Sequence, residues 1–322
     1  MSRLLHSGVR RYARSVLFWL AVVATVGLAL YSGMLARQHC DGMYMVIEYV
    51  IYAILLSWLI GREYDEGIFR NKVIAGHTKS AIFVSEWILG VGACTILFLI
   101  YFTIFTACNG YIFSRFPAIV LVEIFVGFLL INIVVATIFV VLSSLISRRA
   151  IVGVVNIVLL YMLMWVGYTI ENVIEAPEYY EVSDMQEELL YNENGESYWD
   201  TTSIPGTERQ EKNQTYVGGV FREVLQRIYP AVPLGQLEEY MYIMNLYLGY
   251  GYVDIDGEFV EEQPPEFGTV EAGEYMKEAF GIEVVGTEEV AKIFRCYTLY
   301  SLGATAIIFA LGYGAFRKKE LK

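Results

Sequence analysis

This 322-residue chain has little charge, because Asp, Glu, Lys and Arg make up 18% of it, whereas soluble proteins carry about a quarter. Hydrophobic residues make up 56% of the chain, and the mean hydropathy is +0.46. The scarcity of charge excludes an ordinary soluble enzyme, and an aromatic content of 15% excludes intrinsic disorder. The composition therefore predicts a membrane protein.

Histidine is also scarce, and the three in the chain are His6, His39 and His77. The zinc-protease motif H-E-x-x-H is absent, and only His39 lies where an outward-facing Ser–His–acid triad could use it. A glycosidase needs two carboxylates and stays formally open, but no pair stands out. We therefore predict that the chain is not an enzyme, that it has no catalytic or metal-binding residues, and that it binds no cofactor itself.

The four cysteines are Cys40, Cys94, Cys108 and Cys296. A Cys40–Cys108 or a Cys108–Cys296 disulfide fits their positions near one membrane face, and the sequence does not choose between the two. A role as small buried apolar side chains is favoured over either bridge.

The few charges are segregated along the chain. From Glu171 to Arg295 there are 27 acidic and 7 basic residues, whereas the remainder holds 8 acidic and 16 basic residues. A basic, apolar part and an acidic, polar part thus share one chain. This predicts a membrane protein with one water-facing acidic domain, at residues 171–296.

Six apolar runs approach or exceed the roughly 20 residues that a helix needs to cross a bilayer. The first run is too long for the core of a signal peptide, which is the alternative to a span there. The fold class predicted is an all-α polytopic membrane protein with an α-rich or α+β insertion between spans 5 and 6. Spans 1–5 fill residues 16–170 and span 6 fills 297–316, with these apolar runs: Val16–Ala36, Met43–Ile60, Ala81–Ala107, Ala118–Ile146, Ile151–Ile170 and Tyr297–Phe316.

Lys and Arg in the short connections predict the orientation, because they concentrate on the cytoplasmic side. With the N-terminus inside, the outside loops hold only Arg37 and Arg115. Both termini, including the tail 317–322, are then cytoplasmic, and the domain 171–296 is extracellular. The basic residues on the inside are Arg3, Arg10, Arg11, Arg14, Arg62, Arg70, Lys72, Lys79, Arg148, Arg149, Arg317, Lys318, Lys319 and Lys322.

Residues 1–15 predict a basic amphipathic helix that lies in the membrane interface. At 100° per residue, one narrow apolar sector holds Leu5, Val9, Tyr12 and Val16, and four arginines oppose it, with Leu4 out of place. The alternative is a positively charged flank that only sets the topology.

The sequence of the acidic domain predicts irregular structure over 175–213, followed by helices at 218–228 and 236–248. The second helix is rich in Tyr and Met. It lies on the outer membrane surface or on the spans, the alternative being packing in the core of the domain. Residues 254–257, Asp-Ile-Asp-Gly, predict a hairpin turn rather than a calcium loop.

Few polar groups lie within the spans, and such groups are functional candidates by default. Neither charge near the midplane nor repeated halves are apparent, which argues against an ion-coupled transporter. The intramembrane candidates are Glu48, Glu86, Glu123, Asn132 and Asn156.

The loop 61–80 between spans 2 and 3 mixes both signs of charge, and Gly67 and Gly76 bracket a short helix. It predicts a compact polar docking element, the alternative being an ordinary basic loop. The run Gly76–Ser80 lacks the glycine spacing of a phosphate-binding loop, so it does not bind ATP by that route. The candidate docking residues are Arg62, Glu63, Asp65, Glu66, Arg70, Asn71, Lys72 and Gly76.

This loop carries the pattern E-x-x-x-G-x-x-R-N-K-x-I-x-G-x-x-x-x-x-I, from Glu63 to Ile82. With the basic N-terminal helix, six spans, Ser147-Arg148-Arg149 and the closing Phe316-Arg317-Lys318-Lys319, the chain resembles the membrane subunits (permeases) of ABC transporters of the type-2 export class. It departs from that class in its long acidic insertion.

The resemblance implies an all-helical translocation pathway formed with a second permease copy or a paralogue. It implies a separate ATPase partner that holds ATP–Mg and docks on the Glu63–Gly76 stretch and the N-terminal helix. Membrane lipid is a further expected partner, and nucleic acid is not. Together with the compact topology, the resemblance implies a bacterial plasma membrane. The alternative function is a membrane-anchored sensor whose extracellular domain recognises a peptide or surface ligand.

Overall fold

A computed structural model describes the chain at residues 1–35, 43–114, 117–182, 185–191, 197–203, 207, 209–248, 252–253, 259–260 and 287–319. Several features of the sequence lie outside the described residues, namely Arg37, His39, Cys40, Arg115, the predicted turn 254–257 and Lys322.

The described residues are mostly helical. The helices are α1 (Ser2–Ala13), α2 (Val16–Leu35), α3 (Met43–Asp65), α4 (Ile68–Ile74), α5 (Lys79–Cys108), α6 (Gly110–Phe113), α7 (Ala118–Leu145), α8 (Arg149–Glu175), α9 (Gly219–Ile228), α10 (Pro233–Leu248) and α11 (Thr287–Lys318). Six of them, α2, α3, α5, α7, α8 and α11, are long and apolar enough to cross a membrane. These six helices confirm the six predicted apolar spans, and they are those of a multi-pass membrane protein.

Three spanning helices extend by five residues or more beyond the apolar runs from which they were predicted, and one of them is α8, which continues past Ile170 to Glu175. Helix α3 continues past Ile60 to Asp65, and α11 starts at Thr287, ten residues before Tyr297. The added residues are mostly polar, but none of them is a proline, so nothing interrupts the helical hydrogen bonding. As a result, Glu63 lies on a spanning helix rather than in the loop that follows.

Helix α7 lies at the centre of the bundle, where α3, α5, α10 and α11 pack against it. The most apolar stretches of α3 and α7 are each 67% buried, whereas that of α11 is 17% buried. Close approach of α5 and α11 to α7 depends on glycine, because a Cβ at Gly90 or Gly312 would overlap a valine side chain of α7. The apolar side chains left exposed on α2, α8 and α11 suit contact with lipid.

The strands form three antiparallel pairs. Strand β1 (Tyr179–Val182) pairs with β4 (Arg209–Lys212), β2 (Met185–Tyr191) with β3 (Ser197–Ser203), and β5 (Tyr252–Val253) with β6 (Phe259–Val260). The prediction of irregular structure over 175–213 therefore missed four strands. Polar residues fill this stretch, so the apolar alternation that usually marks a strand is missing.

The chain divides into two compact units, one of residues 1–165 and 230–322 and the other of residues 166–229. The smaller unit holds the last part of α8, strands β1–β4 and α9. Within it, the Arg222 guanidinium donates hydrogen bonds to the carbonyls of Ala176, at 3.0 Å, and Ile174. These bonds satisfy carbonyl groups at the C-terminal end of α8.

Helix α10 packs on the spans, as one of the two predicted alternatives has it. Leu237, Tyr240 and Met241 are buried, and the Tyr240 ring stacks on Phe294 of α11 with centroids 4.5 Å apart. On its other side the same ring lies against Gly127 of α7, where a Cβ would overlap it. The described residues of the predicted Tyr- and Met-rich face are thus buried, and Tyr240 contacts both α7 and α11.

Candidate functional site

Helix α4 is a short helix that two glycines delimit. Gly67, with φ of 66°, precedes its first turn, and Gly76, with φ of 85°, follows its last turn. The His77 amide donates to the Lys72 carbonyl, at 3.1 Å, and the Gly76 amide donates to that of Val73, at 2.9 Å. This is the Schellman arrangement, which requires a left-handed residue where Gly76 lies. The two glycines that bracket the predicted helix therefore have a structural role at its ends.

A buried ion network lies beneath α4. The Lys72 ammonium is 2.5 Å from Glu63 Oε2 of α3 and 2.6 Å from Glu86 Oε1 of α5. The Arg11 guanidinium of α1 pairs with Glu63 and lies 3.7 Å from Glu86. Both carboxylates are almost fully buried, with side chains 1% exposed. Two cations and two anions thus join four helices, and we call Arg11, Glu63, Lys72 and Glu86 the ion network.

Tyr12 lies beside the ion network and is buried. Burial raises the pKa of its phenol well above the usual value, and the nearby charges of Glu86 and Glu63 raise the pKa further. The Tyr12 hydroxyl therefore stays neutral at any physiological pH, which keeps a third negative charge away from the two carboxylates.

An aromatic layer connects α4 with the ends of α7 and α11. The Tyr64 ring stacks on Phe69 of α4 at 4.3 Å, and Phe69 contacts Phe316 of α11 at 6.0 Å between centroids. The Tyr64 hydroxyl donates to the Ser144 carbonyl of α7. Displacement of α4 would thus disturb packing at the ends of α3, α7 and α11.

Lys319, just past the end of α11, completes this layer. Its ammonium lies 3.9 Å from the centroid of the Tyr64 ring and donates to the Tyr64 hydroxyl at 2.7 Å. Burial lowers the pKa of Lys319 to about 8, because partial removal from water disfavours the charged form.

The outer face of α4 is exposed. Arg70 and Asn71 are exposed there, and Ile74 is 73% exposed and Val73 38% exposed. Among the described residues, no acidic side chain pairs with Arg70. The predicted docking residues therefore fall into two groups, because Glu63 and Lys72 face inward while Arg70, Asn71 and Gly76 face outward.

The other predicted loop residues form surface pairs at the end of α3. Arg62 pairs with Glu66 at 2.5 Å, and both side chains are about half exposed. Asp65 pairs with Arg149 of α8 at 3.3 Å, and the Arg149 guanidinium lies over the Trp58 ring at 4.4 Å. Exposed pairs of this kind contribute at most about 1 kcal/mol each. They hold the end of α3 near α8 without fixing α4.

Helix α1 packs on α5 by a face rotated from the predicted apolar sector. Leu4, Gly8 and Tyr12 are buried, whereas Val9 is 58% exposed. Leu4, out of place on the helical wheel, is thus a packing residue. Helix α1 approaches α5 closely because Gly8 has no Cβ, which would overlap the Leu89 side chain. Val9 lies between this packed face and the arginine face, where the membrane interface would meet it.

The remaining intramembrane candidates lie apart from the ion network. Glu48 of α3 is buried and accepts hydrogen bonds from Thr25 Oγ1 at 2.8 and 3.0 Å. Glu123 pairs with Arg295 at 2.9 Å across α7 and α11. The Asn156 amide donates to Ser143 Oγ at 3.4 Å, whereas Asn132 is buried without a hydrogen-bond partner among the described residues. Only Glu86 of the five predicted candidates belongs to the network.

The described residues include the stretch Gly76–Ser80 and three of the four cysteines. No group of three or more His, Cys, Asp and Glu side chains in this part of the chain could hold a metal ion. Cys94, Cys108 and Cys296 are free thiols, and only Cys94 is fully buried. Thr78, in the stretch that suggests a phosphate loop, instead caps α5 by accepting from the Ala81 amide at 3.2 Å.

Sequence reasoning missed Arg11 as a partner of Glu63, and Phe69, Phe316 and Lys319 as the aromatic layer. Arg11 lies on the predicted arginine face of α1. On the helical wheel it is next to Leu4 and Gly8, and only this position could have distinguished it from the other arginines. No protein-family model, curated protein or solved structure matches the chain.

Proposed function

We propose that the chain is the membrane-spanning permease subunit of an ATP-driven ABC exporter, with α4 as the helix on which a separate ATPase docks. In this proposal the two termini and α4 are cytoplasmic, residues 171–296 are mostly extracellular, and the membrane is a bacterial plasma membrane. ATP–Mg binds to the partner ATPase, and a second permease copy or a paralogue completes the pathway.

The observation that carries the proposal is the two-sided nature of α4. A docking element must offer an exposed surface to its partner and must also be firmly attached to the parts that move. Arg70 and Ile74 supply the exposed surface, and a cation beside an apolar side chain is a common interface composition. Lys72, on the opposite side, attaches α4 to α3 and α5 through two buried carboxylates.

The mechanism that follows is mechanical. Closure of the ATPase on ATP would push on Arg70, Asn71 and Ile74, and the ion network would carry this displacement into α1, α3 and α5. The aromatic layer would carry it into α7 and α11. Because a partner can only shift an equilibrium between states that it contacts differently, α4 is where the ATPase would favour one arrangement of the spans.

The orientation is supported by where the basic residues lie. Several basic residues lie at the end of the bundle that carries α4. Three of them pair with Glu63 or Asp65 at the C-terminal end of α3, namely Arg11, Lys72 and Arg149. At the same end, the Lys79 ammonium donates to the Lys319 carbonyl. Such residues accumulate on the cytoplasmic side of membrane proteins. Docking of a cytoplasmic ATPase requires α4 on that side.

The test is co-purification of the tagged chain with its ATPase in mild detergent, followed by ATP hydrolysis by the purified complex. We expect Arg70→Glu and Ile74→Glu each to weaken ATPase binding about thirtyfold, as hot-spot residues do. Lys318→Glu, an exposed charge reversal on α11, is the matched control and should bind normally. Lys72 is unsuited to this test, because its replacement also breaks the ion network.

Normal ATPase binding and hydrolysis in both α4 variants would refute the docking role. A chain that purifies without any ATPase would instead favour the second candidate, a membrane-anchored sensor. The observation behind that alternative is the separate compact unit of residues 166–229, which could carry a recognition surface of its own.

A further inference from the structure

A basic depression of about 550 Å³ opens between α1 and the C-terminal end of α3. Its walls carry His6, Ser7, Arg10, Arg11, Arg14 and Arg62. We call it the arginine pocket. A volume of this size is in the range of pockets that hold small ligands.

The arginine pocket holds positive charge that the protein does not neutralise. Arg11 is committed to the ion network, and Arg62 pairs with Glu66 at 2.5 Å. Within the described part of the chain, no carboxylate pairs with Arg10 or Arg14. Two guanidinium groups thus face an open cavity without a counter-charge. Their positive charges repel each other, and a bound anion would offset this repulsion.

The pocket lies at the level where lipid headgroups would be. Ser15, which also lines it, directly precedes Val16, the first residue of the first spanning helix. The Trp19 indole donates to the Ala13 carbonyl at 2.8 Å, and tryptophan at this position is typical of the membrane–water interface. Val9, exposed beside the arginines, provides an apolar contact for the acyl region.

The chemistry of the walls selects the ligand. Guanidinium groups bind phosphate oxygens through two parallel N–H···O bonds. The N–H groups of Arg10 and Arg14 are available for such bonds, because no carboxylate in the described part of the chain pairs with them. The Ser15 hydroxyl adds a donor at the same rim, whereas the Ser7 hydroxyl donates to the Leu4 carbonyl at 2.9 Å. We propose that the arginine pocket binds a phosphate group at the membrane surface, which either an anionic phospholipid headgroup or free phosphate can supply.

This inference goes beyond the proposed function and does not depend on it, because it concerns the chain without any ATPase. Its test uses the full-length purified chain in nanodiscs of phosphatidylcholine, with or without phosphatidylglycerol. Native mass spectrometry counts the anionic lipid that stays bound, and titration with radiolabelled inorganic phosphate in the pure phosphatidylcholine discs measures free phosphate binding.

The variant is Arg10→Gln/Arg14→Gln, which removes the two unpaired charges. The control, Arg3→Gln/Lys318→Gln, removes two exposed charges outside the pocket. We expect the pocket variant to bind phosphatidylglycerol about thirtyfold more weakly, because it loses the charge-assisted hydrogen bonds of two guanidinium groups to the phosphate. The control should change binding less than threefold.

Two results would support the pocket and distinguish its ligands. Phosphatidylglycerol retained on the wild type and lost from the pocket variant identifies a lipid headgroup. Saturable binding of inorganic phosphate, lost in the same variant, identifies free phosphate.

Three results would overturn it. Equal losses in the two double variants would mean diffuse surface attraction, and unchanged binding in the pocket variant would mean another site. A wild-type chain that retains no phosphatidylglycerol in preference to phosphatidylcholine and binds no inorganic phosphate would exclude the pocket, whether or not the variants fold.

Discussion

Replacing Lys72 by methionine removes one of the two cations of the ion network and keeps most of the side-chain volume. Glu63 and Glu86, with side chains 1% exposed, would then share only the Arg11 guanidinium. The site would hold one uncompensated negative charge, away from water. The volume of the lysine stem is preserved, so the effect of the substitution is chiefly electrostatic.

The magnitude follows from the burial of the two carboxylates. Breaking a buried ion pair by removing one partner costs about 3–5 kcal/mol, because it leaves an unpaired buried charge. The Lys72 side chain is 12% exposed, so some water reaches the site, and we expect about 3 kcal/mol. Adding Glu86→Gln restores neutrality, and the double variant should lose only about 1 kcal/mol, as for ordinary hydrogen bonds.

The assay is reversible unfolding in mixed micelles of mild detergent and dodecyl sulfate, followed by circular dichroism. The control is Arg70→Met, which removes an exposed cation from the same helix and should cost less than about 0.5 kcal/mol. Equal free energies of unfolding for Lys72→Met and Arg70→Met would refute the ion network. So would a double variant that is less stable than Lys72→Met alone.

Three further predictions use other parts of the described structure. Gly76→Ala should destabilise the chain by about 1 kcal/mol, because a Cβ there is strained by φ alone, whereas Gly303→Ala within α11, in open space, should be neutral or stabilising in the same unfolding assay. Acetylation of Lys319, followed by peptide mass spectrometry, should be half maximal near pH 8, where burial sets its pKa; a labelling rate still rising steeply above that pH would contradict this environment. Gly127→Ala should cost about 2 kcal/mol in the same assay, because a Cβ there would overlap the hydroxyl and the ring of Tyr240, and Tyr240→Ala should remove most of that penalty.

The spans were predictable because hydrocarbon demands long apolar runs, and their signal is local in the sequence. The continuation of α3 to Asp65 was not predictable from hydropathy, because polar residues extend a helix without extending its apolar run. The same limit applies to α11, because four charged residues interrupt its apolar pattern before Tyr297. Hydropathy indicates the part of a helix that suits lipid. The end of the helix is instead set by the local backbone, as at Gly67, whose positive φ follows the end of α3.

The ion network could be predicted only in part. Glu63, Lys72 and Glu86 each stood out as charged residues near the ends of spans, yet their mutual contacts depend on how α3, α4 and α5 pack. Arg11 comes from a helix whose buried face differs from its apolar sector, because Gly8 contributes to packing through its small size rather than through hydrophobicity. Strands β1–β4 escaped notice for a related reason, since their pairing satisfies the backbone while polar side chains conceal the alternation.

The arrangement around α4 also explains why a short helix could act as a coupling element. Lys72 contacts two carboxylates on different spanning helices, so separating α4 from either helix would leave a buried charge unpaired. Motions that keep all four charges together, in which α4, α3, α5 and α1 shift as one body, avoid that cost. A force on Arg70 or Ile74 would therefore move the spans rather than peel α4 away. Under the proposed function, Lys72→Met should still bind the ATPase through the intact outer face but lose transport-coupled hydrolysis, and coupling that persists in this variant would place the transmission elsewhere.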